Sequence, residues 1–106
     1  MNQIKFSHNW NNKLEQPFFT TIRRATPEKR EYYLEKCGSV FDVLLNGESI
    51  NKAVLIDVQT KKYTDIDYYF LVIDTGNRYP KEIFQKFGIE NETECLVLLF
   101  QSKEMS

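Results

Sequence analysis

The sequence predicts a small α+β domain in which strands dominate and two or three short helices lie between them. Three observations carry that expectation. FTTIRR, at residues 18–24 with its flanking Phe18, is β-branched and aromatic. Cys95 to Phe100 is a continuous apolar run of the kind a buried central strand shows. Between them, Thr26-Pro27 and Pro80 open segments with apolar residues at helical spacing.

Taken in order, Ile4-Lys5-Phe6 alternates as a short strand, and the polar segment from Trp10 to Leu14 fits one or two helical turns. In the strand that follows, a period of two puts Phe19, Thr21 and Arg23 on one face and Thr20, Ile22 and Arg24 on the other. Thr26 can cap a helix with Pro27 at its first position, and Tyr33, Leu34 and Cys37 make its apolar stripe before Gly38 ends it. Val40 to Leu45 and Ala53 to Val58 read as paired strands around Asn46-Gly47, with Glu48 to Asn51 polar enough to lengthen the loop. Tyr68 to Ile73 is ambiguous: its composition suits a strand, yet Thr64 or Asp65 could cap a short helix closed by Gly76. Pro80 to Phe87 is a helix bearing Ile83, Phe84 and Phe87, closed by Gly88, and the chain is expected to fray over residues 102–106.

At 106 residues the chain is one domain with 42% hydrophobic residues, enough for a single modest core. The net charge of -1 excludes a whole-molecule attraction to nucleic acid, so phosphate binding requires a local patch. No apolar run reaches a membrane span, and MNQIKFSHNW has no signal-peptide core, so a cytoplasmic location is expected. His8 is the only histidine and the two cysteines form no CxxC pair, so neither a metal nor a cofactor is expected. The mixed charges of Lys29, Arg30 and Lys36 with Glu28, Glu31 and Glu35 read as a solvated helix face, and Lys61-Lys62 as a polar turn.

The stretch LVIDTG carries the tripeptide found around the catalytic aspartate of pepsin-like and retroviral proteases. The rest of that pattern is missing. Only 32 residues follow Asp74, with no glycine-rich flap and no apolar-apolar-Gly element behind it. A turn at Gly76, with Asp74 capping or solvating it, is the simpler reading.

The order of elements resembles an ASCH domain of the PUA-like superfamily. The resemblance rests on IKF, the helical NWNNKL, FTTIRR in place of the family's basic-Thr-x-Thr-x-Arg strand, CGSVFDVLL, AVLIDV, the DTG turn, PKEIFQKFG and ECLVLLF. It spans nearly the whole chain, and it implies a small mixed β-barrel with helices at the rim and a cleft that binds RNA, a nucleotide or a nucleoside. One bacterial branch of similar proteins comprises amidohydrolases acting on N4-acetylcytidine through a lysine, a threonine and a glutamate. The resemblance places the threonine at Thr21 and the acid near Asp74, whereas Phe18 stands at the lysine's position. Lys13 or Arg23 would then have to supply the missing cation. For binding, Arg23, Thr21 and Asp74 are the leading candidates, with Lys13, Arg24 and Trp10 beside them. Tyr32 and Tyr33 are further stacking surfaces. A module that engages proteins without a ligand is the remaining alternative.

Overall fold

A computed structural model describes residues 2–103. Five strands form one mixed sheet: β1 (Asn2–Phe6), β2 (Phe18–Arg24), β3 (Val40–Leu45), β4 (Glu48–Lys62) and β5 (Glu94–Ser102). Their spatial order is β1-β3-β4-β5-β2, with β1 and β3 parallel and the other pairings antiparallel. Three α-helices join them: α1 (Pro27–Glu35), α2 (Tyr68–Thr75) and α3 (Pro80–Lys86). Short 3-10 segments cover Trp10–Glu15 and Tyr63–Asp65.

The sheet curls toward a barrel without closing it. Its two edge strands, β1 and β2, share no ladder. Side chains link them instead: the Arg23 guanidinium donates to the Lys5 carbonyl at 2.7 Å, and the rings of Phe6 and Phe19 meet edge to face. This open seam is where the cleft lies.

The alternation expected for β2 is present and separates two cores. Phe19 joins Ile4, Leu14, Phe41, Leu55, Leu98 and Phe100 inside the curl. Ile22 faces the other way and packs with Leu71, Phe84, Ile89 and Cys95 beneath α2 and α3. Because β5 serves both cores, its sequence is apolar on both faces.

Asn46 and Gly47 both have positive φ, as a two-residue type I′ hairpin requires. β4 therefore starts at Glu48, so the longer loop considered for Glu48 to Asn51 is not formed. Glu48 and Ser49 pair directly with Leu45 and Leu44, and Asn51 pairs with Val43. β4 also runs past Val58 to Lys62, and Lys61-Lys62 lie in a strand paired with Cys95 and Glu94 rather than in a turn. Polarity masked both ends of this strand, because its outer portions face solvent.

Tyr68 to Thr75 is a helix. Asp67, two or three residues beyond the expected caps, accepts from the Tyr69 and Phe70 amides, and Gly76 closes the helix at φ 67°. In α1 the cap is Thr26 as expected, but the stripe is not buried. Tyr33 packs on Phe41 while Leu34 and Cys37 are exposed. Residues 104–106 of the tail expected to fray lie outside the described residues. Ser102, the first of that tail, is a buried strand residue whose amide and hydroxyl bond to Pro17 and Gln16 carbonyls. Among the described residues no helix is long and apolar enough to cross a membrane.

Candidate functional site

Trp10–Glu15 has no side-chain N-cap, and its position is fixed from outside. Leu14 plugs the inner core, and its amide donates to the Asn9 side chain at 3.0 Å. Asn51 donates to the Leu14 carbonyl and to the Ser102 hydroxyl, which in turn bonds to the Gln16 carbonyl. This clamp holds Lys13, one residue before the plug, against α2.

There Lys13 meets Asp74. The ammonium donates to Asp74 Oδ1 at 3.2 Å, and the Thr20 hydroxyl donates to the same oxygen at 2.7 Å. Lys13 and Asp74 are buried, at 8% and 3% exposure. Burial lowers the Lys13 pKa below its ordinary value, an effect opposed by the Asp74 charge and hydrogen bond and reinforced by Arg23. Lys13 also sits over the rings of Phe6 and Trp10, 5.7 Å from each centroid. Asp74 thus shares one carboxylate oxygen between an ammonium and a hydroxyl, which is not the turn-capping role expected for it.

On the opposite face of β2, the Thr21 hydroxyl accepts from Arg23 Nε at 3.1 Å. The same guanidinium reaches the Lys5 carbonyl and covers the Phe6 ring at 4.8 Å. Burial lowers the Arg23 pKa, with Tyr33 and Asp74 acting in the other direction, yet an arginine shifted downward is still a cation at neutral pH.

Trp10, Lys13, Thr21, Arg23, Arg24 and Asp74 line one cavity of about 320 Å³ at the seam, whereas the stacking candidates Tyr32 and Tyr33 line a separate recess. Trp10 is half-buried against His8 and Phe87, so it is a wall and not a core plug. The threonine bonded to Asp74 is Thr20, whereas the resemblance had pointed to Thr21. Strand alternation turns the two hydroxyls to opposite faces, and Asp74 comes from α2 on the Thr20 side. Phe18, at the motif-lysine position, is 54% exposed. Lys13 brings a cation to Asp74 from a different segment.

The cavity also recruits residues not singled out by the sequence: Lys5, Phe6, Phe84 and Phe87, with Lys29 from the supposedly solvated face of α1. Five cationic side chains and one carboxylate therefore surround aromatic walls, giving a local positive patch on a chain of net charge -1. Lys13 and Asp74 also line a neighbouring cavity with Phe18, Thr20, Phe70 and Ile73.

A curled five-stranded mixed sheet with rim helices is an ASCH-like architecture. No family model and no curated protein matches the sequence. Among solved structures, the crystal structure of an ASCH domain from Lactobacillus crispatus JV V101 is similar, with a TM-score of 0.62 at 13% identity. The similarity covers 87% of this chain and 68% of that one. At that identity the likeness establishes the fold.

Proposed function

We propose that the seam cleft binds a nucleotide unit, as a free nucleotide, a modified nucleoside or a part of RNA. The observation that carries this reading is the pairing of cationic and aromatic side chains around one cavity. Arg23 and Arg24 offer planar donors for phosphate oxygens, and Trp10 and Phe87 offer surfaces for a base. The buried Lys13–Asp74 pair adds a donor and an acceptor for a base edge at the cavity wall. The test is thermal unfolding with nucleosides and nucleoside 5′-monophosphates. A ligand at ~100 times its Kd adds about 2.7 kcal/mol of stability. The phosphate's contribution weakens as salt rises. No stabilisation by any of them, in low salt, rejects the reading.

A second reading, hydrolysis of an acylated nucleoside, draws on the convergence of Thr20 and Lys13 on Asp74. In this reading the carboxylate takes the Thr20 proton as the hydroxyl attacks the acyl carbon, and Lys13 protonates the departing amine as the C–N bond breaks. Water then hydrolyses the acyl-threonine ester to release the acid. The lowered pKa of Lys13 favours its proton transfer. This reading requires the acyl group to reach the Thr20 side of the pair, which the neighbouring cavity lined by Phe18 and Ile73 accommodates. Chromatography of N4-acetylcytidine incubated with the protein and with Thr20→Val decides it. Unchanged substrate, or equal turnover by the variant, removes Thr20 as nucleophile.

A further inference from the structure

The seam cavity does not end at Arg23. Lys5 and Arg23 also line a second, more open recess of about 420 Å³ between β1 and α1, together with Asn2, Gln3, Tyr32 and Tyr33. The two recesses thus share a pair of cations, and each has aromatic side chains beyond that pair.

The shared arginine is held in place. Its Nε and one Nη2 hydrogen are engaged by Thr21 and the Lys5 carbonyl, and it rests on the Phe6 ring. Five donors belong to a guanidinium, so three remain beyond these bonds for an oxygen arriving at the seam. Tyr33 is fixed by stacking on Phe41, with ring centroids 6.1 Å apart, and lines this recess beside Arg23. Tyr32 stands edge-on to Tyr33, is 38% exposed, and touches Asn2 through its hydroxyl.

We propose that the cleft is a two-nucleotide site for single-stranded nucleic acid: one base occupies the Trp10 cavity, the linking phosphate lies on Lys5 and Arg23, and the neighbouring base stacks on Tyr32. The sequence of aromatic wall, cations and aromatic wall matches the alternation of base, phosphate and base in a single strand. A double helix has its bases already stacked and offers none to either wall. This proposal rests on the nucleotide-binding reading of the seam and extends it to a ligand class.

The experiment is calorimetric titration with a nucleoside 5′-monophosphate, the corresponding dinucleotide carrying the same 5′-phosphate, and a mixed-sequence hexanucleotide, in RNA and DNA forms. The dinucleotide is expected to bind at least ~5-fold more tightly than the mononucleotide, the low end of what stacking one more base contributes. Tyr32→Ala should abolish that gain while leaving mononucleotide affinity unchanged, and Tyr32→Phe should retain it. The RNA and DNA series separate the two sources of such a strand, and the gain on either supports the proposal for that strand. Equal binding of mono- and dinucleotide overturns it while the nucleotide reading stands, as does a gain that survives Tyr32→Ala. Failure of every ligand to bind overturns both.

Discussion

Lys13 and Asp74 are 61 positions apart in the chain and 3.2 Å apart in the fold, both buried, with the Thr20 hydroxyl on the same carboxylate oxygen. Removing one member leaves the other as an uncompensated buried charge, which typically costs ~3–5 kcal/mol. Lys13→Met and Asp74→Leu are each expected to destabilise on that scale in urea titrations. The double variant, with no charge left to bury, should be less destabilised than the sum of the singles. Additive costs would show that the two charges are not coupled.

The pair also shapes the alkaline stability profile. Burial places the Lys13 pKa below 10.5 in the folded state, so the unfolded chain holds that proton more tightly. Within the window between the lowered value and 10.5, unfolding takes up a proton, and Lys13's contribution to stability rises with pH. Cys95 opposes it. Burial pushes that thiol up from 9.0 to about 11, so stability held below pH 9 is lost as pH climbs toward 11. Lys13→Met removes the rising component alone. Urea midpoints taken at intervals from pH 8 to 10.5 should therefore fall more steeply in the variant than in wild type, and parallel profiles would contradict the assigned direction.

The two cysteines should differ in reactivity. Cys37 is exposed after α1, its thiol directed at the Leu55 and Ile56 carbonyls, whereas Cys95 is buried under Ile22 and Leu71 and is protonated at pH 8. A chromogenic disulfide reagent at pH 8 should titrate one thiol in the native protein and two in guanidinium. Two fast equivalents under native conditions would mean that the second core opens readily.

Much of the fold was legible because local chemistry and packing agree. FTTIRR, CLVLLF, Thr26-Pro27, Asn46-Gly47 and Gly76 each do locally what their residue types favour. The failures lie where tertiary context decides. YYFLVI has strand composition, and only the Asp67 cap and Gly76 closure, with packing on the outer core, make it a helix. Residues that line the cavity could be named from residue type and from the resemblance, but their pairing could not. Alternation separates Thr20 from Thr21, yet no pattern reveals on which side of β2 the α2 carboxylate docks. Lys13 likewise reaches Asp74 through a clamp made by Asn51 and Ser102, far away in sequence.

That clamp makes a prediction of its own. Asn51→Leu removes the donor to the Leu14 carbonyl and to the Ser102 hydroxyl, two bonds worth ~0.5–1.5 kcal/mol each. Global stability should fall by about 1–3 kcal/mol. If the clamp positions Lys13, nucleotide affinity should fall as well, measured where the variant is still fully folded. Affinity unchanged in a destabilised but folded variant would confine Asn51 to a structural part.

Arg23 is the last link, since it belongs to the seam and to the cleft together. It reaches Thr21 and the Lys5 carbonyl through different nitrogens while covering Phe6, a geometry that a planar guanidinium provides and an ammonium does not. Arg23→Lys keeps the charge and loses the bridge between the two edge strands. Stability should drop by about 1–3 kcal/mol. Mononucleotide affinity should fall about ten-fold, the effect of losing one oriented charged hydrogen bond. A charge-only role for this residue predicts instead that lysine restores what Arg23→Gln removes. Comparing the two variants by calorimetry separates the cases, and full rescue by lysine would show that geometry at the seam does not matter to binding.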